Sequence, residues 1–184
     1  MHFVAIDVET ANYSIHSICQ IGIVEYKQGV ISTLWSSLIN PLSHFNPFNV
    51  NIHGITKNMV ATSPTFTDIY PELLNCLTGK IVVSHTSFDK KAIGEAAMQN
   101  NLTPPTCTWL DSSLIAKRAW LQFSRSGFGL GNLCNFLNFD FKHHDALEDA
   151  RACAFIVGQA VQKTGFSVQD WLTKVREPLA KFKE

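Results

Sequence analysis

The sequence predicts an α/β protein: a mixed β-sheet opened by three strands, two of them an antiparallel hairpin, with helices flanking it. Three observations carry this. Near the start, "FVAIDV" is apolar on successive residues, the mark of a strand buried on both faces. Two further β-branched runs are joined by Gln28-Gly29, a hairpin turn signal. From residue 65 onward, helical periodicity alternates with two short strand-like runs, "KIVVSH" and "TCTWLD", as expected of helices packed on a sheet.

The first strand covers residues 3–8, and the hairpin strands cover 18–27 and 30–40. Residues 41–56, rich in Pro and Asn, read as a loop. A helix over 65–77 puts Ile69, Leu73, Leu74 and Leu77 at helical spacing, with Pro71 implying a kink or a late start. Residues 80–85 form a short buried strand, 86–101 a helix and 106–111 another short strand. Helices follow near 112–121 and 130–137, separated by the Gly-rich crossing "SRSGFGLG". No strand precedes its glycines, so a dinucleotide fingerprint is rejected. A long helix starts at Asp145, and a short amphipathic one spans 168–175.

At 184 residues, with 46% apolar residues and 13 Phe, the chain reads as one domain with a sizeable core. Lys plus Arg and Asp plus Glu balance at 15 each, so no global basic field advertises a grip on long duplexes. Its five cysteines include no C-x-x-C and read as reduced intracellular thiols used in packing. Met1 and His2 lead straight into a strand, so no signal peptide is expected. No apolar run approaches the roughly 20 residues that cross a bilayer. The expected location is the cytoplasm, with no membrane partner.

Charged residues stand where apolar ones belong. Asp7 and Glu9 are i and i+2 on the first strand and share a face. In the helix over 86–101, Asp89 falls on the stripe of Ile93, Ala96 and Ala97. With Thr86 as N-cap it occupies the third helical position. In the long helix, Asp149 falls on the stripe of Ala146, Ala150, Cys153, Val157, Ala160 and Val161. Asp145 caps that helix, and Glu148 completes a capping-box variant. His144, in the preceding loop, can converge with Asp149 on one point. Four inward carboxylates leave uncompensated charge unless divalent cations sit among them. Oxygen donors without cysteine favour Mg²⁺ or Mn²⁺ over zinc.

"DVET", "HTSFD" and "HHDALEDA", in that order, resemble the three exonuclease motifs of the DnaQ-like 3′–5′ exonucleases. That family includes the proofreading subunit of bacterial replicative DNA polymerase, ribonuclease T and oligoribonuclease. The spacing from His144 to Asp149 resembles the subgroup with a catalytic histidine (DEDDh). "INPLSHFNPFNVNIHGIT" is similar to the substrate loop of DNA polymerase III epsilon-like members. The resemblance covers residues 1–161, leaving 162–184 as a C-terminal helical extension of a single exonuclease domain.

It implies an RNase-H-like sheet and release of nucleoside monophosphates from a 3′ end. Asp7, Glu9 and Asp149 would hold one of two divalent cations, Mg²⁺ or Mn²⁺. Asp7 would bridge to a second, which Asp89 approaches partly through water. His144 would be the general base, with His143 left as structural. Thr10, His53, Ile55 and Phe88 would meet the terminal nucleotide. Thr86 departs from the Asn of many relatives.

The nucleic acid partner is expected to be a 3′ end, DNA more than RNA, single-stranded or short. An RNA-directed exoribonuclease and a catalytically silent binding module of the same fold are the alternatives. A helical HD-type phosphohydrolase, suggested by His144-Asp145, conflicts with three leading strands. Ending soon after its last helix, without a polymerase-joining tail, the chain is expected to act free-standing.

Overall fold

Strand β1 (His2–Thr10) runs through the middle of the protein because nearly every residue after its first is hidden. Phe3, Val4, Ala5 and Ile6 are each 1% exposed or less. The structure is a computed structural model that describes residues 1–182. Strands β2 (Ile18–Lys27) and β3 (Val30–Leu38) follow as the antiparallel hairpin. The third strand stops two residues short of the expected end, and Asn40 makes only an isolated bridge to Thr65. Strands β4 (Ile81–Ser84) and β5 (Thr108–Asp111) complete a five-stranded sheet in the order β3-β2-β1-β4-β5. Strand β1 is antiparallel to β2 and parallel to β4, so the sheet is mixed as predicted.

Alternation on β1 divides the core. Phe3 and Ala5 pack on one face with Val24, Tyr26 and most of the C-terminal helices. Val4, Ile6 and Val8 pack on the other with Ile21, Ile23, Leu73 and Ile93. Asp7 and Glu9 continue the Phe3/Ala5 series and emerge on that first face.

The helices refine several expectations. Residues 41–56 are not all loop: helix α1 (Pro47–His53) lies inside them. Asn46 caps it by accepting from the Phe48 amide, Pro47 occupies the first turn, and Gly54 at φ 77° ends it. Those three residues were its sequence signal. Helix α2 (Phe66–Leu77) runs through Pro71 without interruption and starts at a Thr65–Asp68 capping box.

Helix α3 (Phe88–Gln99) has Ser87 rather than Thr86 at its N-cap position, with no capping bond from the Ser87 side chain, which places Asp89 second in the helix instead of third. Thr86 lies one residue farther out at φ 76°, a left-handed conformation costly for a β-branched residue, and its hydroxyl accepts from the Phe88 amide at 3.4 Å. Asn tolerates that conformation far better. Helix α4 (Ser112–Ala119) is followed by a 3₁₀ turn at Leu121–Phe123, then helix α5 (Leu130–Phe136).

Helix α6 (Ala146–Thr164) starts after Asp145, as expected. Glu148 closes no capping box: it pairs with Arg151 at 2.8 Å, and Asp145 accepts from the Leu147 amide. The helix is buried well beyond one stripe, with Ala152, Ala154 and Ile156 also inside, while Val161 is only half-buried. Helix α7 (Val168–Lys174) and a 3₁₀ turn at Leu179–Phe182 make up the C-terminal extension as far as it is described. Residues 183 and 184 of that expected extension lie outside the described residues. Among the described residues, no helix is long and apolar enough to cross a membrane.

Helix α6 approaches β2 so closely that one glycine decides the fit. A Cβ on Gly22 would lie 2.3 Å from the Leu147 amide nitrogen and 2.4 Å from the Ala146 carbonyl. Gly22 also pairs with Asp7 in the β1–β2 register. The first turn of α6 is therefore laid beside the acids of β1. Gly22→Ala should lower stability by about 1–3 kcal/mol through overpacking. Gly94→Ala, at a half-buried α3 position with open space around it, should be neutral or raise stability by up to about 1 kcal/mol. Chemical denaturation of the two variants checks the contrast; equal stabilities would contradict the close approach.

Candidate active site

Three elements deliver the acids to one end of the sheet. β1 and β4 are parallel, and α3 follows β4, so the α3 N-terminus arrives at the end where Asp7 and Glu9 leave β1. The α6 N-terminus is brought there by Gly22 and by Gln20, whose side-chain oxygen accepts from the Ala146 amide at 3.1 Å. A cleft of about 260 Å³ results, lined by Asp7, Glu9, Phe88, Asp89, His143, His144 and Asp149 among others. All five residues predicted to be catalytic line this cleft.

Asp7, Glu9 and Asp149 each offer an oxygen within 4.8 Å of the others. Asp89 stands outside this trio: one of its oxygens accepts from the Val8 amide at 3.0 Å, tying α3 to β1. Asp149 accepts the His144 amide on one oxygen at 2.9 Å. Its other oxygen, Oδ1, is buried and has no hydrogen-bond partner.

The electrostatics are severe. Burial pushes the Asp7 carboxyl well above the usual range, helped by Asp89, Asp149 and Glu9. Burial, then the charges of Asp149 and Asp89, raise Glu9 to about 8. Asp89 and Asp149 are each raised to about 7, mainly by burial. An orphaned buried carboxylate oxygen and four acids that resist ionising are what a hard-cation site looks like before the charge is supplied. The donor set therefore fits a divalent cation bound through oxygen.

His144 sits at φ 65°, held by its amide bond to Asp149. Its Nδ1 lies 4.0 Å from a Glu9 oxygen. Burial holds its pKa below the usual value, which keeps the ring neutral and its lone pair available. His143, read from sequence as structural, stacks on His144 with centroids 3.9 Å apart and brings Nε2 to 4.0 Å from Asp149 Oδ1. Its place at the cleft had no sequence signal beyond adjacency to the motif.

His85 was likewise missed. Its Nε2 donates to the Phe128 carbonyl, and its Nδ1 meets the Ser112 hydroxyl at 2.8 Å. It thus ties the Gly-rich crossing to the cleft wall. The Thr86 amide bonds Asp111, which steadies the turn before α3.

The residues expected at the substrate are less alike. Phe88 presents an exposed ring at the cleft. His53 spends both ring nitrogens locally, accepting from the Ile55 amide and donating to the Thr10 carbonyl. That carbonyl also accepts from Asn49. Ile55 is buried with Ala11, Cys19 and Val60. His53 and Ile55 border a second cleft of about 510 Å³, which meets the first at His143 and His144.

A family model for exonucleases, RNase T, matches residues 4–157. Among curated relatives, the PolC-type DNA polymerase III of Caldanaerobacter subterraneus subsp. tengcongensis is 28% identical over 165 residues. The alignment covers 88% of this chain but 12% of that polymerase. Among solved structures, exonuclease X bound to 5′-overhanging duplex DNA superposes with a TM-score of 0.74 at 22% identity, covering 94% of this chain and 99% of that one. The nuclease domain of 3′hExo, a DEDDh member bound to rAMP, gives a TM-score of 0.77 at 18% identity, covering 89% and 92%. At such identities the structural likeness shows the fold, which is the RNase-H-like sheet expected from the motifs.

The raised carboxyl pKa values set a pH dependence for the cation-free protein. Unfolded, these acids titrate near their ordinary values of about 4; folded, they hold protons to about pH 7–8. Their contribution to stability is whole below about pH 4 and is lost as the pH rises through the folded values. The melting temperature in chelator should therefore fall between about pH 5 and pH 8. Mg²⁺ should raise it more at the upper end, where the carboxylates are ionised. Scanning calorimetry with and without cation tests this, and a cation effect independent of pH would contradict it.

Proposed function

The chain belongs to the RNase T exonuclease family, and on that premise we propose that it removes nucleoside monophosphates one at a time from the 3′ end of single-stranded DNA or short oligonucleotides. The observation that carries this reading is the convergence of Asp7, Glu9, Asp89 and Asp149 beside a neutral His144 in one cleft.

Asp7, Glu9 and Asp149 would hold one divalent cation, and Asp7 with Asp89 a second, as Mg²⁺ or Mn²⁺. When bound, such cations supply Lewis-acid charge that offsets the negative charge growing on the reacting phosphate. His144, neutral and turned toward Glu9, takes the proton from the attacking water. Phe88 gives the terminal base a flat apolar surface. His53 and Ile55 shape the adjoining wall, with His53 bracing the carbonyl of the buried Thr10 rather than offering a free ring nitrogen.

Residues 1–184 act as one exonuclease domain in this reading. A formal net charge of zero suits short or single-stranded ends, since long-polymer affinity leans on neutralising phosphates. The chain spans 12% of the polymerase it matches, so work beside a polymerase is supported by that likeness alone.

Asp7→Asn and Asp149→Asn should each cut Mg²⁺-supported nucleotide release by at least about a hundredfold. Both should fold, and each should be more stable than the parent in chelator, because a repelling charge is gone. Release from end-labelled single-stranded DNA, duplex DNA and RNA measures the first effect and ranks the polymers; full activity in either variant would refute the site. His144→Ala should lower turnover by about 10²–10⁴-fold while oligonucleotide binding, followed by anisotropy, stays near that of the parent.

A further inference from the structure

Asp149 belongs to two groups of mutually close donors, one with oxygens of Asp7 and Glu9 and the other with the imidazoles of His143 and His144. Each of these histidines offers a ring nitrogen within 4.8 Å of the other's and of an Asp149 oxygen. The two nearly parallel rings, 15° apart, present this nitrogen pair beside an aspartate that is 4% exposed. Asp149 Oδ1 has no hydrogen-bond donor, though His143 Nε2 stands 4.0 Å away. Two imidazoles and one carboxylate form a donor set of a different class from three carboxylates. Nitrogen suits Zn²⁺, Ni²⁺ or Cu²⁺, whereas Mg²⁺ demands oxygen.

We propose that His143, His144 and Asp149 form a second cation site, selective for a borderline transition ion such as Zn²⁺, whose occupation switches the nuclease off. Binding stands on the donor geometry alone; the switching rests on the exonuclease reading. The ion takes the His144 lone pair that would receive the water's proton. It also draws on the same Asp149 carboxylate that the acid trio needs. Excess Mg²⁺ competes for that carboxylate but not for the imidazoles, so it relieves inhibition only in part. His143 is the discriminating ligand: its side chain is 47% exposed, and it has no part in the proposed hydrolysis.

The test is equilibrium dialysis of the whole chain against Zn²⁺ in a large excess of Mg²⁺, with the bound metal measured by atomic emission. Wild type should retain one Zn²⁺ per chain, and His143→Ala should bind it at least about tenfold more weakly. In the nuclease assay, the Zn²⁺ concentration that halves each protein's own Mg²⁺-supported rate should rise by the same factor. Imidazole NMR of the wild type, which needs no variant to fold, should show Zn²⁺ shifting His143 and His144 while Mg²⁺ does not. Equal Zn²⁺ retention by His143→Ala, or unshifted His143 and His144 resonances, would overturn the site. A wild type that binds Zn²⁺ as expected but cleaves no nucleic acid would overturn the exonuclease reading and leave the cation site standing.

Discussion

Four carboxyl groups that repel one another are confined to a single cleft, and most of the architecture around it can be understood as what confinement requires. Two come from β1, which is fixed by pairing on both sides. A third, Asp89, is clamped by the Val8 amide of the same strand. The fourth, Asp149, is fastened through the His144 amide. Loose side chains would separate or turn to solvent and keep ordinary pKa values. These cannot, and the result is a set of raised acids: Asp89 and Asp149 at about 7, Glu9 at about 8, and Asp7 well above its ordinary value. The scaffold sustains an unfavourable arrangement in the free protein that becomes favourable once positive charge arrives.

The confinement is geometric before it is electrostatic. Helix α6 carries Asp149 and crosses the sheet face to which Asp7 and Glu9 point. Its first turn can reach them only because residue 22 lacks a side chain. At its other end the helix makes a similar approach, where Gly158 lies against the Tyr26 ring. Two glycines, one on the strand and one on the helix, thus bring the long helix down onto the hairpin. Phe3 stacks on Tyr26 at 4.8 Å beneath it, joining that contact to the central strand. Core packing and site assembly are the same set of contacts here.

How much of this could be read from the chain follows from which forces are local. The hairpin, the two short later strands and the long helix were legible because periodicity and turn chemistry are set by neighbouring residues. The acids were legible because a charge on an apolar stripe, at Asp89 or Asp149, is conspicuous. Helix α1 was masked by Pro and Asn, although Pro47 and Asn46 serve there as first-turn and cap residues. The cap of α3 was misplaced by one residue because the left-handed turn at Thr86 is fixed by Asp111, on a different strand. His85 and His143 were invisible for the same reason: their partners, Ser112, Phe128 and Asp149, are close only in the folded chain.

Strain at the cleft has a definite pattern. Thr86 and His144, both in the left-handed backbone region, occupy the turns that lead into α3 and α6, the two helices that bring acids to the site. Each conformation costs on the order of 1–3 kcal/mol. Each is held by its amide donating to a carboxylate, Asp111 for Thr86 and Asp149 for His144. For His144 the bond goes to the very acid that faces the cleft, so ring position and carboxylate position are one variable. A shift of the α6 N-terminus would move the His144 ring and the Asp149 carboxylate together rather than one past the other. Linking them through a strained residue makes their relative geometry insensitive to small movements of the helix, which is what a reaction that depends on aligning water against phosphate requires.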